Sequence, residues 1–186
     1  TQRSTLFPYT TLFRSQWIAH APHPEVMHAL VRLGLRFDAL VQPWHLAPLL
    51  AFARAWPTLP LVIDHCAKPQ LRFGWSADWV PAWQQGMAAL AALPQVMCKV
   101  SGLATEAGDA APDTLRPAWD AVLRWFGPER LMWGSDWPVL TLADDYAGWA
   151  SVADEFIADL PTESQAAVWS GSARRFYGLS HPGIVA

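Results

Sequence analysis

Short apolar segments alternate with amphipathic segments along the chain from residue 17 onward. Four of the short segments have the apolar, β-prone character of buried strands, and they lie at Leu35–Val41, Leu61–His65, Val96–Ser101 and Leu131–Asp136. Apolar residues recur at helical spacing in the other segments, which predicts helices at Pro24–Leu33, Leu46–Trp56, Ala77–Leu93, Leu115–Phe126, Ala143–Leu160 and Ser164–Tyr177. Strands that alternate with helices predict βα units and a parallel sheet.

The spacing of the strands favours a barrel. Equivalent positions in successive strands are 26 to 37 residues apart, counted between Asp38, Asp64, Lys99 and Asp136. A (β/α)₈ barrel uses about 250 residues for eight units, or roughly 31 for each. A doubly wound sheet is the alternative, but the phosphate-binding glycine motifs typical of that fold are absent, and so is the G-x-S-x-G elbow of the α/β-hydrolases.

Composition narrows the class of protein. The 186 residues are 52% hydrophobic and 16% charged, with 12 Trp and 8 Phe, which is enough apolar material for one folded domain and unlike a disordered chain. A net charge of -3 with 13 Lys and Arg indicates no nucleic-acid partner, and no apolar run approaches the ~18 residues of a membrane span. We expect a cytoplasmic globular protein.

Residues 1–16 differ from the rest of the chain. The five residues of Arg3–Phe7, RSTLF, recur in rearranged order as TLFRS at Thr11–Ser15, and the segment lacks the apolar core of a secretory signal. It resembles translated sequencing-adaptor read-through, so we interpret it as non-native, the alternative being an ordinary disordered N-terminus. The predicted domain then covers residues 17–180, and residues 181–186 form a tail.

Polar side chains at the carboxyl ends of the predicted strands are the candidates for chemistry, because βα loops converge on that face of a parallel sheet. These positions hold Asp38, Asp64–His65, Lys99, Ser101 and Ser135–Asp136–Trp137. A histidine can polarise a carbonyl or bind a metal, and an aspartate can take a proton from water or bind the same metal. The set suits acid–base or metal-assisted hydrolysis.

Each candidate also has a structural interpretation. His65 could be a core histidine, Asp136 could cap a turn before Pro138, and the only two lysines, Lys68 and Lys99, could be surface charges. Alternation within its strand favours an inward position for Lys99. Ser101, His65 and Asp136 could be described as a hydrolytic triad, although nothing in the spacing identifies Ser101 as a nucleophile. Cys66 and Cys98 are expected to be reduced thiols, with one disulfide as the alternative.

Four ordered motifs carry a family resemblance, and they are Val62–Pro69, Cys98–Leu103, Gly127–Pro138 and Ser172–Leu179. The sequence containing them resembles amidohydrolase-related proteins of the amidohydrolase superfamily. It is most similar to their sugar-lactonase branch, which includes L-fuconolactonases and 2-pyrone-4,6-dicarboxylate lactonases. The resemblance covers about Pro24 to Leu179.

The resemblance implies an α/β fold, the C-terminal half of a (β/α)₈ TIM barrel of the metal-dependent-hydrolase type, holding strands five to eight. It implies a hydrolase in carbohydrate catabolism that opens a sugar or related lactone ring. Asp136 would activate water and His65 would stabilise the oxyanion, while Lys68, Lys99, Ser101 and Trp137 would contact the substrate. One divalent metal such as zinc, held by His65 and Asp136, is optional in this branch. The family's His-x-His at the end of the first strand has no counterpart here.

Two alternatives remain at this stage. One is a metal-dependent decarboxylase of the same superfamily. The other is a truncated, non-catalytic fragment, whose open sheet edges at the Phe37 and Leu131 strands would favour self-association.

Overall fold

Four parallel strands form one sheet in chain order. The computed structural model describes Ile18 and residues 23–179. The strands are β1 (Phe37–Ala39), β2 (Leu61–Ile63), β3 (Val96–Val100) and β4 (Leu131–Trp133). Phe37 pairs with Leu61, Leu61 with Val96, and Cys98 with Leu131. A doubly wound sheet reverses its strand order at a switch point; this sheet does not, so its topology is that of a barrel wall.

Helices follow and cover the strands. Their bounds are α1 Pro24–Arg32, α2 Leu46–Ala55, α3 Trp79–Ala91, α4 Leu103–Ala107, α5 Pro112–Phe126, α6 Tyr146–Ile157, α7 Thr162–Ala166 and α8 Ser172–Tyr177. One π-helical turn, Ala167–Gly171, joins α7 to α8, and 3₁₀ turns lie at Pro43–His45, Asp64–Ala67, Leu71–Phe73, Pro128–Arg130 and Val139–Leu142. No helix in the described part of the chain is long and apolar enough to cross a membrane.

The predicted strands were too long at their carboxyl ends. β2 ends at Ile63 because residues 65–68 have left-handed backbone angles, and β4 ends at Trp133, shortly before Asp136, whose φ is 58°. A left-handed residue cannot continue a β-ladder. Helix α4 was not predicted because five residues show no periodicity, although the glycines on either side, Gly102 and Gly108, both have positive φ.

The two faces of the sheet have different partners. Ile63, Cys98 and Leu131 belong to the large core between the sheet and the helices. Val62 and Met132 alternate with them, face the other side, and form a smaller buried cluster with Phe176. Helix α8 therefore covers part of the face that would line the interior of a closed barrel.

Arg130 ties the amino-terminal end of the sheet to two helices. Its guanidinium lies just before β4, and burial lowers its pKa. It donates hydrogen bonds of 2.8 to 3.3 Å to the backbone carbonyls of Ala91, Leu93, Val96, Trp125 and Phe126. One planar side chain thus satisfies the ends of α3 and α5 and the start of β3.

Removing that guanidinium is expected to destabilise the fold. Arg130→Ala leaves several carbonyls without a donor, so the free energy of unfolding should fall by about 3 kcal/mol in urea denaturation. Arg124→Ala, at an exposed position near the end of α5, is the control and should change it by less than about 0.5 kcal/mol. Equal effects of the two substitutions would contradict this role for Arg130.

Candidate active site

The loop after β2 contains a rare left-handed turn. Four consecutive non-glycine residues, His65 to Lys68, have φ between 50° and 57°. L-residues visit this region singly as a rule, because each costs roughly 1–2 kcal/mol there. Strain of this kind persists where surrounding contacts hold it, and it clusters at functional sites. The turn presents His65 and Lys68 at the carboxyl edge of the sheet.

The ring of His65 is fixed on both of its nitrogens. Nδ1 lies 2.8 Å from Ser101 Oγ at the end of β3, and Nε2 lies 3.6 Å from Asp136 Oδ1. A proton on Nε2 faces the carboxylate favourably, so the arrangement favours the tautomer in which the Ser101 hydroxyl donates to Nδ1. A side chain at Gly102 would place its Cβ 2.9 Å from the Cβ of His65, so glycine there permits the close approach.

Asp136 is oriented by a hydroxyl that the sequence did not single out. Thr105 Oγ1, on α4, donates a 2.8 Å hydrogen bond to Asp136 Oδ2. The other carboxylate oxygen is therefore directed toward His65, and the carboxylate side chain is 11% exposed. In the sequence, Thr105 is marked only by its position between Gly102 and Gly108, just after β3. Without a predicted helix at that position, the pattern does not identify Thr105 as a site residue.

The electrostatics favour a neutral imidazole. Burial lowers the pKa of His65. The carboxylates of Asp136 and Asp64 oppose this effect, whereas the charges of Lys68 and Lys99 add to it. The pKa of His65 therefore lies below its ordinary value of 6.5. His65 is therefore uncharged near neutral pH. A neutral ring with the proton on Nε2 donates a hydrogen bond from that nitrogen while Nδ1 accepts one from Ser101.

Lys68 is held by a carboxylate on α4. Its ammonium forms an ion pair with Glu106, whose second carboxylate oxygen lies 3.9 Å from Arg72 Nη2. Glu106 is buried, so this contact joins the left-handed turn to α4. Lys68 is thus not a free surface charge. Glu106 was missed in the sequence for the same reason as Thr105.

Lys99 belongs to a second cluster, on the barrel-facing side of the sheet. Its ammonium lies 2.7 Å from both Asp38 Oδ2 and Asp64 Oδ1. Tyr177, on α8, donates a 2.6 Å hydrogen bond to Asp38. Burial alone would lower the pKa of Lys99, but hydrogen bonds to Asp38, Asp64 and Tyr177 outweigh it and raise the pKa. Lys99 stays charged and points inward, on the same face as Met132.

The remaining predicted site residues divide by exposure. Ser101 is hydrogen-bonded to His65, as a triad serine would be, but it is only 2% exposed, which is unlike a nucleophile that a substrate must reach. Trp137 is 66% exposed and directly follows Asp136. The structure therefore brings together His65, Ser101 and Asp136. It places Lys68 and Trp137 on the loops that carry His65 and Asp136, and it puts Lys99 in the separate inward cluster.

The two cysteines are free, as predicted, and both are buried. Burial, together with the neighbouring Cys66 thiol, raises the pKa of Cys98 well above its ordinary value. Thiols in this state are weak nucleophiles and weak metal ligands.

The described residues do not by themselves form a zinc site. His65 and Asp136 are donors of the right chemistry, but a catalytic zinc takes three protein ligands. Within the described ranges no group of three His, Cys, Asp or Glu side chains could hold a metal ion. The assignment of His65 and Asp136 as metal ligands stays a prediction.

Acidification is expected to destabilise the fold through His65. Its pKa in the folded chain lies below 6.5, the value expected in the unfolded chain. At a pH between these two pKa values, the unfolded chain binds more protons than the folded chain. The stability contributed by a neutral His65 is complete above pH 6.5 and is lost as the pH falls toward the folded-state pKa.

His65→Gln cannot gain that proton and should lose less stability than the parent between about pH 8 and about pH 5, measured by urea denaturation. His23→Gln, at an exposed position, is the control and should follow the parent. Parallel curves for His65→Gln and the parent would contradict burial of a neutral ring.

Comparison with known proteins agrees with the motifs. The chain is 45% identical over 175 residues to an L-fucono-1,5-lactonase of Burkholderia ambifaria, covering 89% of this chain and 58% of that protein. The crystal structure of an amidohydrolase from Burkholderia multivorans with bound HEPES superposes with a TM-score of 0.82 at 35% identity, over 89% of this chain and 61% of that one.

A second crystal form of an amidohydrolase from Burkholderia multivorans, with bound zinc, gives a TM-score of 0.81 at 35% identity, over 89% of this chain and 60% of that one. The chain therefore spans somewhat over half the length of these relatives. The parallel sheet predicted from alternating strands and helices is confirmed, and so are the barrel-type fold and the resemblance to the lactonase branch. Residues 11–179 match the family model described as Amidohydrolase. The chain belongs to the amidohydrolase family.

Proposed function

We propose that this chain carries the water-activating half of a lactone hydrolase acting on a sugar-derived ring. The observation that carries the proposal is the pairing of His65 Nε2 with Asp136 Oδ1 at 3.6 Å, at the carboxyl edge of a parallel sheet. The identity of 45% to an L-fucono-1,5-lactonase supports a six-membered aldonolactone as the substrate class. The same similarity favours this reaction over decarboxylation.

Each member of the pair has one role in the proposed reaction. Asp136 accepts a proton from water as the water oxygen bonds to the lactone carbonyl carbon. His65, neutral with a proton on Nε2, donates a hydrogen bond to the carbonyl oxygen as negative charge develops there. The ring C–O bond then breaks, the departing oxygen takes the proton from Asp136, and the product is a hydroxy acid.

The loops beside the pair supply the proposed substrate contacts. Lys68 lies at the end of the left-handed turn, where it is paired with Glu106, and the exposed Trp137 follows Asp136. We assign both residues to contacts with a ring bound between the two loops. An aromatic face packs on the apolar side of a sugar, and an ammonium binds hydroxyl oxygens. Ser101 contributes through its bond to His65. The ammonium of Lys99 is already paired with Asp38 and Asp64, and a contact of Lys99 with the substrate stays a prediction.

Zinc enters this proposal only through the relative. An amidohydrolase at 35% identity was crystallised with zinc, whereas the described residues here provide two donors of the three that a catalytic zinc requires. Water activation is therefore assigned to Asp136, and no step is assigned to a metal.

Neutralising Asp136 is expected to abolish lactone hydrolysis. Asp136→Asn keeps the shape and can still accept a hydrogen bond from Thr105, but it cannot take a proton, so kcat for L-fucono-1,5-lactone should fall by at least about 100-fold. The measurement is release of acid at constant pH. Asp159→Asn, at an exposed position after α6, is the matched control and should retain the parent's rate. Undiminished turnover in Asp136→Asn removes Asp136 from the reaction.

Self-association through the open sheet is the second part of this proposal. β1 and β4 are the edges of the described sheet, and each has backbone groups with no neighbouring strand there. A second copy of the same sheet offers edge strands of matching length and unpaired backbone groups, so we expect another copy of this chain to be the partner. Size-exclusion chromatography with light scattering should show a dimer or larger species that dissociates on dilution. A monomer at high micromolar concentration, with cooperative unfolding, contradicts this expectation.

A further inference from the structure

Three tryptophans in the described structure are fully buried, and their indole N–H groups have different surroundings. These residues are Trp83, Trp119 and Trp149. Trp83 Nε1, on α3, donates a 2.8 Å hydrogen bond to the backbone carbonyl of Cys66. Trp149 Nε1, on α6, donates a 2.9 Å hydrogen bond to the carbonyl of Gly134. Trp119 Nε1, on α5, has no hydrogen-bond partner among the described residues.

The two acceptors lie in the two loops of the candidate site. Cys66 is the second residue of the left-handed turn and directly follows His65. Gly134 directly follows β4 and stands two residues before Asp136, whose φ is 58°. One indole from the helical layer therefore binds the backbone beside each member of the catalytic pair.

A hydrogen bond at these carbonyls is worth more than an average one. Both loops have left the β-ladder, so these carbonyls have no neighbouring strand as a donor. Cys66 is buried and Gly134 is partly buried, and a carbonyl removed from water without a donor is costly. Left-handed non-glycine residues add strain that only surrounding contacts can hold. The indole donors meet both requirements at once.

Aromatic packing makes these donors rigid. The ring of Trp83 lies 5.7 Å from those of Trp75 and Trp125 and 6.0 Å from that of Trp79, measured between centroids. Trp149 packs edge-on against Trp119 at 6.0 Å. An indole fixed in this way directs its N–H along one line, so the position of the acceptor carbonyl is fixed with it.

We propose that Trp83 and Trp149 are positioning residues of the lactone-hydrolysing site, each holding one strained loop so that His65 and Asp136 face one another. The proposal depends on the proposed function for its chemistry, whereas the hold on the two loops is a property of the folded chain and can be measured without substrate. Both side chains are buried in the helical layer, so the proposal gives neither of them a contact with the substrate.

Hydrogen exchange tests the hold on each loop separately. Trp83→Phe should accelerate amide exchange about tenfold or more in residues 64–69 and leave residues 134–138 unchanged. Trp149→Phe should produce the reverse pattern. Trp119→Phe is the control, because it removes an equally buried indole without removing a hydrogen bond. The phenyl ring retains an aromatic contact with Trp149, so this substitution should accelerate neither loop.

Kinetics then separate positioning from general stability. With L-fucono-1,5-lactone, Trp83→Phe and Trp149→Phe should lower kcat about tenfold or more at a KM within about twofold of the parent, because the reacting groups are misplaced while binding contacts remain. Trp119→Phe should keep kcat once rates are corrected for the folded fraction. Where a phenylalanine variant does not fold, the benzothiophene analogue of tryptophan replaces the N–H with sulfur at nearly constant shape.

These measurements distinguish failure of the positioning role of the two tryptophans from failure of the proposed lactone hydrolysis. Unchanged exchange in both loops after removal of the indole N–H, or equal acceleration with Trp119→Phe, overturns the inference. Local acceleration with kcat unaffected overturns the positioning role. Absence of lactone hydrolysis by the unmodified chain overturns the proposed function instead, and the exchange pattern still decides whether the two indoles hold the loops.

Discussion

The parallel pairing of β2, β3 and β4 is the constraint on which the site depends. Because the strands run in one direction, the residues that follow them emerge at one edge, and side chains far apart in sequence become neighbours. His65 follows β2, Ser101 follows β3 and Asp136 follows β4. Their contacts of 2.8 Å and 3.6 Å are consequences of that register.

Local backbone strain converts proximity into orientation. Residues 65–68 and Asp136 have left-handed angles that a strand cannot continue, so the chain turns back over the edge of the sheet. Contacts from three sides hold these turns: Thr105 bonds to Asp136, Glu106 pairs with Lys68, and the indoles of the helical layer bind the adjacent carbonyls. Contacts with α4 and with the helical layer therefore offset the unfavourable free energy of these left-handed residues.

Much of this arrangement could be predicted from the sequence, because strand order, helix positions and the strand-end residues follow from hydrophobic period and from motifs such as Val62–Pro69. The roles of Thr105, Glu106 and the two indoles could not. Helix α4 is too short to produce a period, and a buried tryptophan that donates a hydrogen bond has the same pattern as one that only packs, as Trp119 does. Lys99 was correctly expected to face inward. Its two carboxylate partners are distant in sequence, Asp38 on β1 and Asp64 directly after β2, and no local pattern reveals that pairing.

The most direct test of the account is a crystal structure of the chain with a lactam analogue of the aldonolactone, which presents the same carbonyl but resists hydrolysis. The account predicts that the lactam carbonyl oxygen lies about 3 Å from His65 Nε2, with a water molecule between the carbonyl carbon and Asp136 Oδ1. A lactam bound away from both side chains, or bound with Asp136 turned out of the site, would contradict it.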